Sequence, residues 1–390
     1  MRVFIVPPND ILRHPLPNRM YHVAKRLADK YEIYLLSYTG HPLAKEKKRE
    51  LKAIEVPVNN AIKVGNLGLY YIINAPQIHE AIEFVIDKHG IDIVLHGNIL
   101  PSYIASRLSK KYRIPSLYDF LDYYPESASA YYSRGKWIVE KYVWMIIHKA
   151  ILNSNAVVTP SHGLRKVVEG IATNTRVHVI PNGVEAEIFR PIDQKIARRS
   201  IGLDSEHHVA LLAGSLDAWL DVEGVFKAIS KLIRSGLDLR LVIVGYPHSR
   251  FYLYYILKLA KHYGIHNHLY IYPSQPYEKM PLFINSSDFV LAPYKKMIKN
   301  YTTPVKFAES LACGVPIVTT NIPEFRFWYG QGIFQYDTSG ELVEVIKGLL
   351  SRADEVISML RERRLRYIEL FDWDNIAKEY SKIIESLYRK

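Results

Sequence analysis

The chain has 390 residues, 48% of them hydrophobic and 23% charged, a globular balance that excludes a disordered chain and, at this length, asks for two or three domains. Lys and Arg outnumber Asp and Glu by 51 to 39, with residues 1–185 holding 24 basic side chains against 16 acidic ones; this favours anionic partners, and the lack of any nucleic-acid-binding signature points to phosphorylated metabolites or lipid rather than nucleic acid. The lone cysteine, Cys313, excludes an internal disulfide and thiolate metal clusters, and neither a spanning run nor a signal-peptide pattern is present, so a soluble cytoplasmic protein is expected.

Short β-rich runs alternate with helical stretches, the pattern of parallel α/β architecture. RVFIV (2–6) reads as a buried strand, 18–30 as a helix and EIYLLSY as the next strand. IDIVLHG (91–97) and RIPSLYDF (113–120) follow, separated by the helical 102–111, and NAVVTP and RVHVIP complete the series. A turn-rich join at 181–191 precedes a second series. Its strands are HHVALLAGS, LRLVIVGY, HLYIYPS, DFVLAPY and VPIVTT, with helices near 222–235, 252–263 and 304–313. The reading is two doubly wound domains, 1–185 and 186–371, facing each other across a cleft. Residues 372–390 carry an amphipathic helix that returns to the first. Ligands of open α/β sheets bind at the carboxyl ends of the strands.

Two segments carry the chemistry. TTPVKFAESLACGVPIVTT (302–320) sets a proline-started helix after a strand, with Lys306 and Glu309 on one face. A helix N-terminus offers free N–H groups to phosphate oxygens, Lys306 adds charge, and Glu309 can accept two hydrogen bonds from a ribose diol. The spacing alone serves an ordinary surface ion pair equally well. VIPNGVEAEIFRP (179–191) by itself marks a stiff turn at a domain boundary.

Together these segments resemble the family 4 (group 1) retaining glycosyltransferases of the GT-B fold, through IPNGVEAEIFRP and PVKFAESLACGVPIV at compatible spacing. ILNSNAVVTPSHGLRKVV (151–168), residues 261–294 and FDWDNIAKEY (371–380) support the likeness. The resemblance implies transfer of a sugar from a nucleotide diphosphate sugar to a glycan or lipid-linked acceptor, without metal or other cofactor. It places the donor on the second domain. Gly214 and Ser215 approach the diphosphate, Lys306 the phosphates and Glu309 the ribose. Tyr246, Ser274 and Gln275 border the base, and Thr303, Pro304 and Val305 hold phosphates and sugar.

The acceptor falls to the first domain, near Arg13, His14 and Asn18, with Asp119 or Asp122 as the carboxylate that orients sugar or acceptor. Asp at a strand end also serves as a plain loop cap. His14 equally fits a turn, and His96 reads as a satisfied buried histidine. Two departures from the family pattern stand out: Ser215 and the acidic 217–223 replace cations found in many members, and Tyr301 replaces the first glutamate of the usual pair. The alternatives are a sugar-nucleotide epimerase of the same fold, which needs no acceptor, and a non-catalytic sugar-nucleotide or glycan-binding protein.

His262, His266 and His268 sit on a helix-to-strand turn rather than in a metal cluster, and Asp372 and Asp374 belong to a helix start. Neither G-x-G-x-x-G nor a P-loop occurs. Two basic segments, 44–53 and 135–152, have compositions shared by solvated or buried helices and by helices that lie on anionic membrane.

Overall fold

The computed structural model describes residues 1–389 except 46, 126–134, 204–205, 215, 217–218, 246–249, 296–300, 302–304 and 328–331, and gives only the backbone of Arg250 and Phe251. The chain divides into two units, Met1–Pro181 with Trp373–Lys390, and Asn182–Asp372.

The first unit is built on β1 (Arg2–Val6), β2 (Glu32–Ser37), β3 (Ile54–Pro57), β4 (Ile93–His96), β5 (Ser116–Asp119), β6 (Ala156–Thr159) and β7 (Arg176–Val179). They lie in the order β3-β2-β1-β4-β5-β6-β7, all parallel. Its helices are α1 (Arg19–Leu27), α2 (Leu67–Ile73), α3 (Ala75–Lys88), α4 (Leu100–Tyr112), α5 (Lys136–Asn153) and α6 (His162–Ile171). A sheet covered on both faces needs strands apolar at successive positions, which the buried Val3–Val6 of β1 supply. Phe4 and Val6 join the core formed with α2, α3 and α4. Val3 and Ile5 point the other way, into the core under α1.

The second unit holds β8 (His208–Ala213), β9 (Leu239–Val244), β10 (Leu269–Tyr272), β11 (Phe289–Ala292), β12 (Ile317–Thr320) and β13 (Ile333–Tyr336), parallel in the order β10-β9-β8-β11-β12-β13. Its helices are α7 (Gln194–Ser200), α8 (Val222–Arg234), α9 (Arg250–His262), α10 (Met280–Ser286), α11 (Val305–Ala312), α12 (Ser339–Leu350) and α13 (Ala353–Phe371). The order reverses beside β8, so the gap between the carboxyl ends of β8 and β11 is the topological switch point of this sheet.

The chain leaves the first unit at Pro181 rather than at residue 185. Val184 donates its N–H to the Phe371 carbonyl at 2.7 Å and pairs with Asp372, which binds it into the second unit. The returning helix α14 (Trp373–Tyr388) buries Trp373, Tyr380 and Ile384 beside α1. His22 stacks on Trp373 at 4.8 Å. The edge strands β3 and β13 escape the sequence reading because they are short and half exposed, with weak alternation.

Candidate active site

The carboxyl end of β8 runs straight into Gly214, whose φ of +107° suits glycine. Its N–H donates to the Val244 carbonyl at 2.8 Å. A Cβ placed on Gly214 would stand 2.6 Å from Cε and 2.7 Å from Nζ of Lys306. The lysine therefore lies against bare backbone at the switch point, and only the missing side chain lets it. Gly245, after β9, is tighter still: a Cβ there would meet the Gly214 carbonyl oxygen at 1.8 Å. Two glycine loops thus pack backbone to backbone beside one ammonium group.

Helix α11 fixes Lys306 by burying its other face. Phe307 packs on Phe325 and Phe371 with ring centroids 4.8 and 5.2 Å away. Ser310 Oγ donates to the Val315 carbonyl at 2.7 Å and closes the helix end, where Gly314 turns with φ +74°. Glu309 stands three residues on, on the same side as Lys306. Both keep partial contact with solvent. Even so, burial pulls Lys306 down to about 8 against the opposing pull of Glu309. Burial likewise pushes Glu309 up to about 7 against Lys306. In both shifts burial outweighs their mutual attraction.

The loops after β8 and β11 are zipped together. Asp221 donates its N–H to the Pro293 carbonyl at 2.7 Å, Lys295 to the Trp219 carbonyl at 2.8 Å, and Leu220 pairs with Tyr294. Asp221 also caps α8 through Gly224 N–H at 3.0 Å. Ser274 is exposed beyond β10, and Gln275 Nε2 donates to the Pro273 carbonyl at 3.0 Å. Val305 opens α11 and is 38% exposed. Ser215, Tyr246, Thr303 and Pro304 lie outside the described residues.

In the first unit, the residues expected to meet an acceptor shape the loop after β1. Arg13 Nη1 bonds Asp10 at 3.2 Å and Glu55 at 2.6 Å. His14 Nδ1 lies 2.8 Å from the Leu16 carbonyl, and burial lowers its pKa. Asn18 caps α1 by accepting from Tyr21 N–H at 3.0 Å and donates to Asn9 Oδ1 at 2.9 Å.

The two carboxylates of the 119–122 loop part company. Asp119, expected to face a ligand, is fully buried at the end of β5. Its Oδ2 accepts from Tyr380 OH at 2.6 Å and from Arg19 Nε at 3.2 Å. Arg19 reaches on to the carbonyls of Pro181 at 2.6 Å and Ile180 at 2.8 Å. Desolvation raises the Asp119 pKa, with Arg19 and Tyr380 opposing it. This is a scaffold knot that ties α1, β5, the IPN turn and α14 together, because a fully enclosed carboxylate cannot touch substrate. Asp122 is exposed and accepts from Tyr123 N–H at 2.7 Å.

Sequence reasoning missed Arg19, Tyr380 and Gly245. The glycine after LVIV carried a signal; the pairing of Arg19 with Tyr380, 361 positions away, carried none. His96 is buried and stacked on Tyr118 at 5.0 Å, but its Nδ1 has no partner among the described residues, so "satisfied" was too generous. Burial drops its pKa to about 3, which keeps the ring neutral. The described residues contain no cluster of three metal-ligating side chains, and Asp374 pairs with Arg26.

Comparison with known proteins adds the deciding observation. The family model "Glycosyltransferase Family 4" matches residues 17–188 and "Glycosyl transferases group 1" matches 193–352, so one model falls on each series of strands. The chain belongs to the group 1 glycosyltransferases. Among relatives of this family, D-inositol 3-phosphate glycosyltransferase 1 of Catenulispora acidiphila is 27% identical over 228 residues, covering 55% of this chain and 53% of that protein. The chain thus spans about half the length of the curated relatives it matches. Among solved structures, sucrose-phosphate synthase of Thermosynechococcus elongatus superposes with TM-score 0.82 at 13% identity over all of both chains. Anabaena HepE in complex with UDP-glucose gives 0.72 at 14% identity, over 99% of this chain and all of that one. These likenesses establish the GT-B fold.

Proposed function

We propose that this group 1 glycosyltransferase transfers a sugar from a nucleotide diphosphate sugar to a glycan or lipid-linked acceptor, with retention of configuration. The observation that carries the reading is Lys306 laid against the Gly214 backbone at the switch point, with Glu309 beside it. A diphosphate offers Lys306 further negative charge beside Glu309, and the Gly214 loop lets phosphate oxygens approach main chain without a side chain in the way. Glu309, once ionised, accepts from both hydroxyls of a ribose. The relatives named for glycosyl transfer and the Anabaena neighbour holding UDP-glucose support the same donor class.

Catalysis then depends on stabilising the departing diphosphate rather than on a protein nucleophile. The acceptor hydroxyl attacks the anomeric carbon on the face from which the nucleoside diphosphate leaves. The carbon–oxygen bond to the β-phosphate breaks, and the phosphate oxygen takes the hydroxyl proton. Lys306 supplies positive charge at the oxygen where negative charge gathers, so no metal is assigned to this step. On the acceptor side we assign Asp122, the carboxylate of its loop that solvent reaches; Arg13, His14 and Asn18 hold the neighbouring loop in shape.

The test is transfer from UDP-, GDP- and ADP-sugars to a panel of acceptors. Wild-type protein should release nucleotide only when an acceptor is present. Lys306→Ala should lose that activity and keep its circular dichroism spectrum. Nucleotide release by Lys306→Ala at the wild-type rate would remove the reading.

A further inference from the structure

Helix α13 reads RERRLR over 361–366, four arginines against one acid. Arg364 is fixed in place by main chain. Its Nε donates to the Ala312 carbonyl at 2.9 Å, at the end of α11. Its Nη2 donates to the carbonyls of Ala186 at 2.8 Å and Phe189 at 3.3 Å. Its Nη1 has no acceptor among the described residues. Arg361 precedes it by three residues and so shares its side of the helix. A Cβ placed on Gly314 would stand 3.0 Å from Arg361 Cγ and 3.8 Å from Pro191 Cγ, so the stem of Arg361 and the residue after Arg190 meet over bare backbone. Asn285 holds the main chain there from both sides: its Nδ2 donates to the Arg190 carbonyl at 3.0 Å and its Oδ1 accepts from Ile192 N–H at 2.8 Å.

Three arginines are thus brought to one corner of the second unit, and no acid answers them. Arg190 and Arg361 are exposed and Arg364 is half-buried. None of the three has an ion-pair partner among the described residues, although Glu187 and Glu362 are close in sequence. Burial lowers the Arg364 pKa, and the like charge of Arg190 lowers it as well. A shared anion relieves that repulsion. Guanidinium forks match the oxygens of phosphate in pairs. The two exposed forks and the spare Nη1 of Arg364 offer more donors than one carboxylate can use, and a tetrahedral dianion can use them.

We infer that Arg190, Arg361 and Arg364 form a binding site for a phosphate dianion, at the opposite end of α11 from Lys306. The inference stands apart from the donor reading, since none of these residues is assigned to the nucleotide sugar.

The experiment is calorimetric titration of the full chain with inorganic phosphate at constant ionic strength, in a Lys306→Ala background that removes the donor-side cation. That protein should bind phosphate. Adding Arg190→Ala or Arg361→Ala should weaken binding roughly tenfold each, and the pair together should abolish it. Arg361→Lys should recover only part of the loss, because an ammonium lacks the fork. Arg234→Ala, at an exposed arginine ending α8, should bind like the background, and melting curves should show every variant folded. Competition by glycerol 3-phosphate gives the site to phosphorylated metabolites, and its failure gives the site to the free ion; either supports a phosphate site. Absence of phosphate binding in the Lys306→Ala background overturns the inference, as does undiminished binding when both arginines are replaced. Equal competition by acetate also overturns it, since the corner would then read charge alone.

Discussion

Lys306 Nζ would stand 2.7 Å from a β-carbon at Gly214, so the lysine of α11 and the glycine ending β8 share one space. A strand end, a helix start and an ammonium group are thereby fixed at the one point where this sheet reverses its order.

That sharing predicts different outcomes for two glycine variants. In Gly214→Ala the clash is with the far end of a flexible side chain, so Lys306 swings aside. Nucleoside diphosphate binding should weaken at least tenfold, about 1.4 kcal/mol, while the left-handed φ costs roughly 1–2 kcal/mol of stability. In Gly245→Ala the clash is with the backbone oxygen of Gly214 and cannot be relieved by a rotamer. Its melting temperature should fall well below that of Gly214→Ala. Calorimetric titration and thermal unfolding of both variants check this.

The pH dependence follows from the same pair. A diphosphate binds the protonated form of Lys306, so affinity should fall as pH rises through about 8. The ribose needs ionised Glu309, so affinity should rise as pH rises through about 7. UDP titrations should trace a bell with its top between these values. Lys306→Arg should flatten the alkaline limb, because a guanidinium keeps its charge, and Glu309→Gln should remove the acid limb.

Stability of the free protein should follow the opposite signs. Glu309 is raised from 4.5, so its contribution is present below that value and lost as pH climbs to about 7. Lys306 is lowered from 10.5, so its unfavourable contribution is complete below about 8 and relieved between there and 10.5. Each single neutral variant, Glu309→Gln and Lys306→Met, should lose its own part of the denaturation midpoint profile.

The two carboxylates of the 119–122 loop separate scaffold from chemistry. Asp119→Asn leaves Arg19 buried without its counter-charge and should destabilise the protein by about 3 kcal/mol. Tyr380→Phe should cost about 1–2 kcal/mol through the lost hydrogen bond. Asp122→Asn, at an exposed site, should leave urea denaturation unchanged and lower turnover. Denaturation and initial-rate measurements on the three variants decide between these roles.

Much of this was legible in the sequence. Apolar runs such as VFIV (3–6) and LVIV (241–244) announce strands covered on both faces, and the spacing in PVKFAES sets Lys306 and Glu309 on one side of α11, the pair to which we assign the diphosphate and ribose. The role of Asp119 was not legible. An aspartate after a strand looks alike whether it faces solvent or a distant arginine, and what decides is α14, which returns from the far end of the chain to bring Tyr380 beside it. The space between Lys306 and Gly214 was also hidden, since a positive φ at one loop residue leaves no periodic trace.

The most direct measurement is a crystal structure of the protein with a nucleoside diphosphate bound. The diphosphate should lie within hydrogen-bonding distance of Lys306 Nζ and the Gly214 loop, with the ribose hydroxyls on Glu309. A nucleotide seated on another strand end, with Lys306 and Glu309 facing only each other, would contradict it.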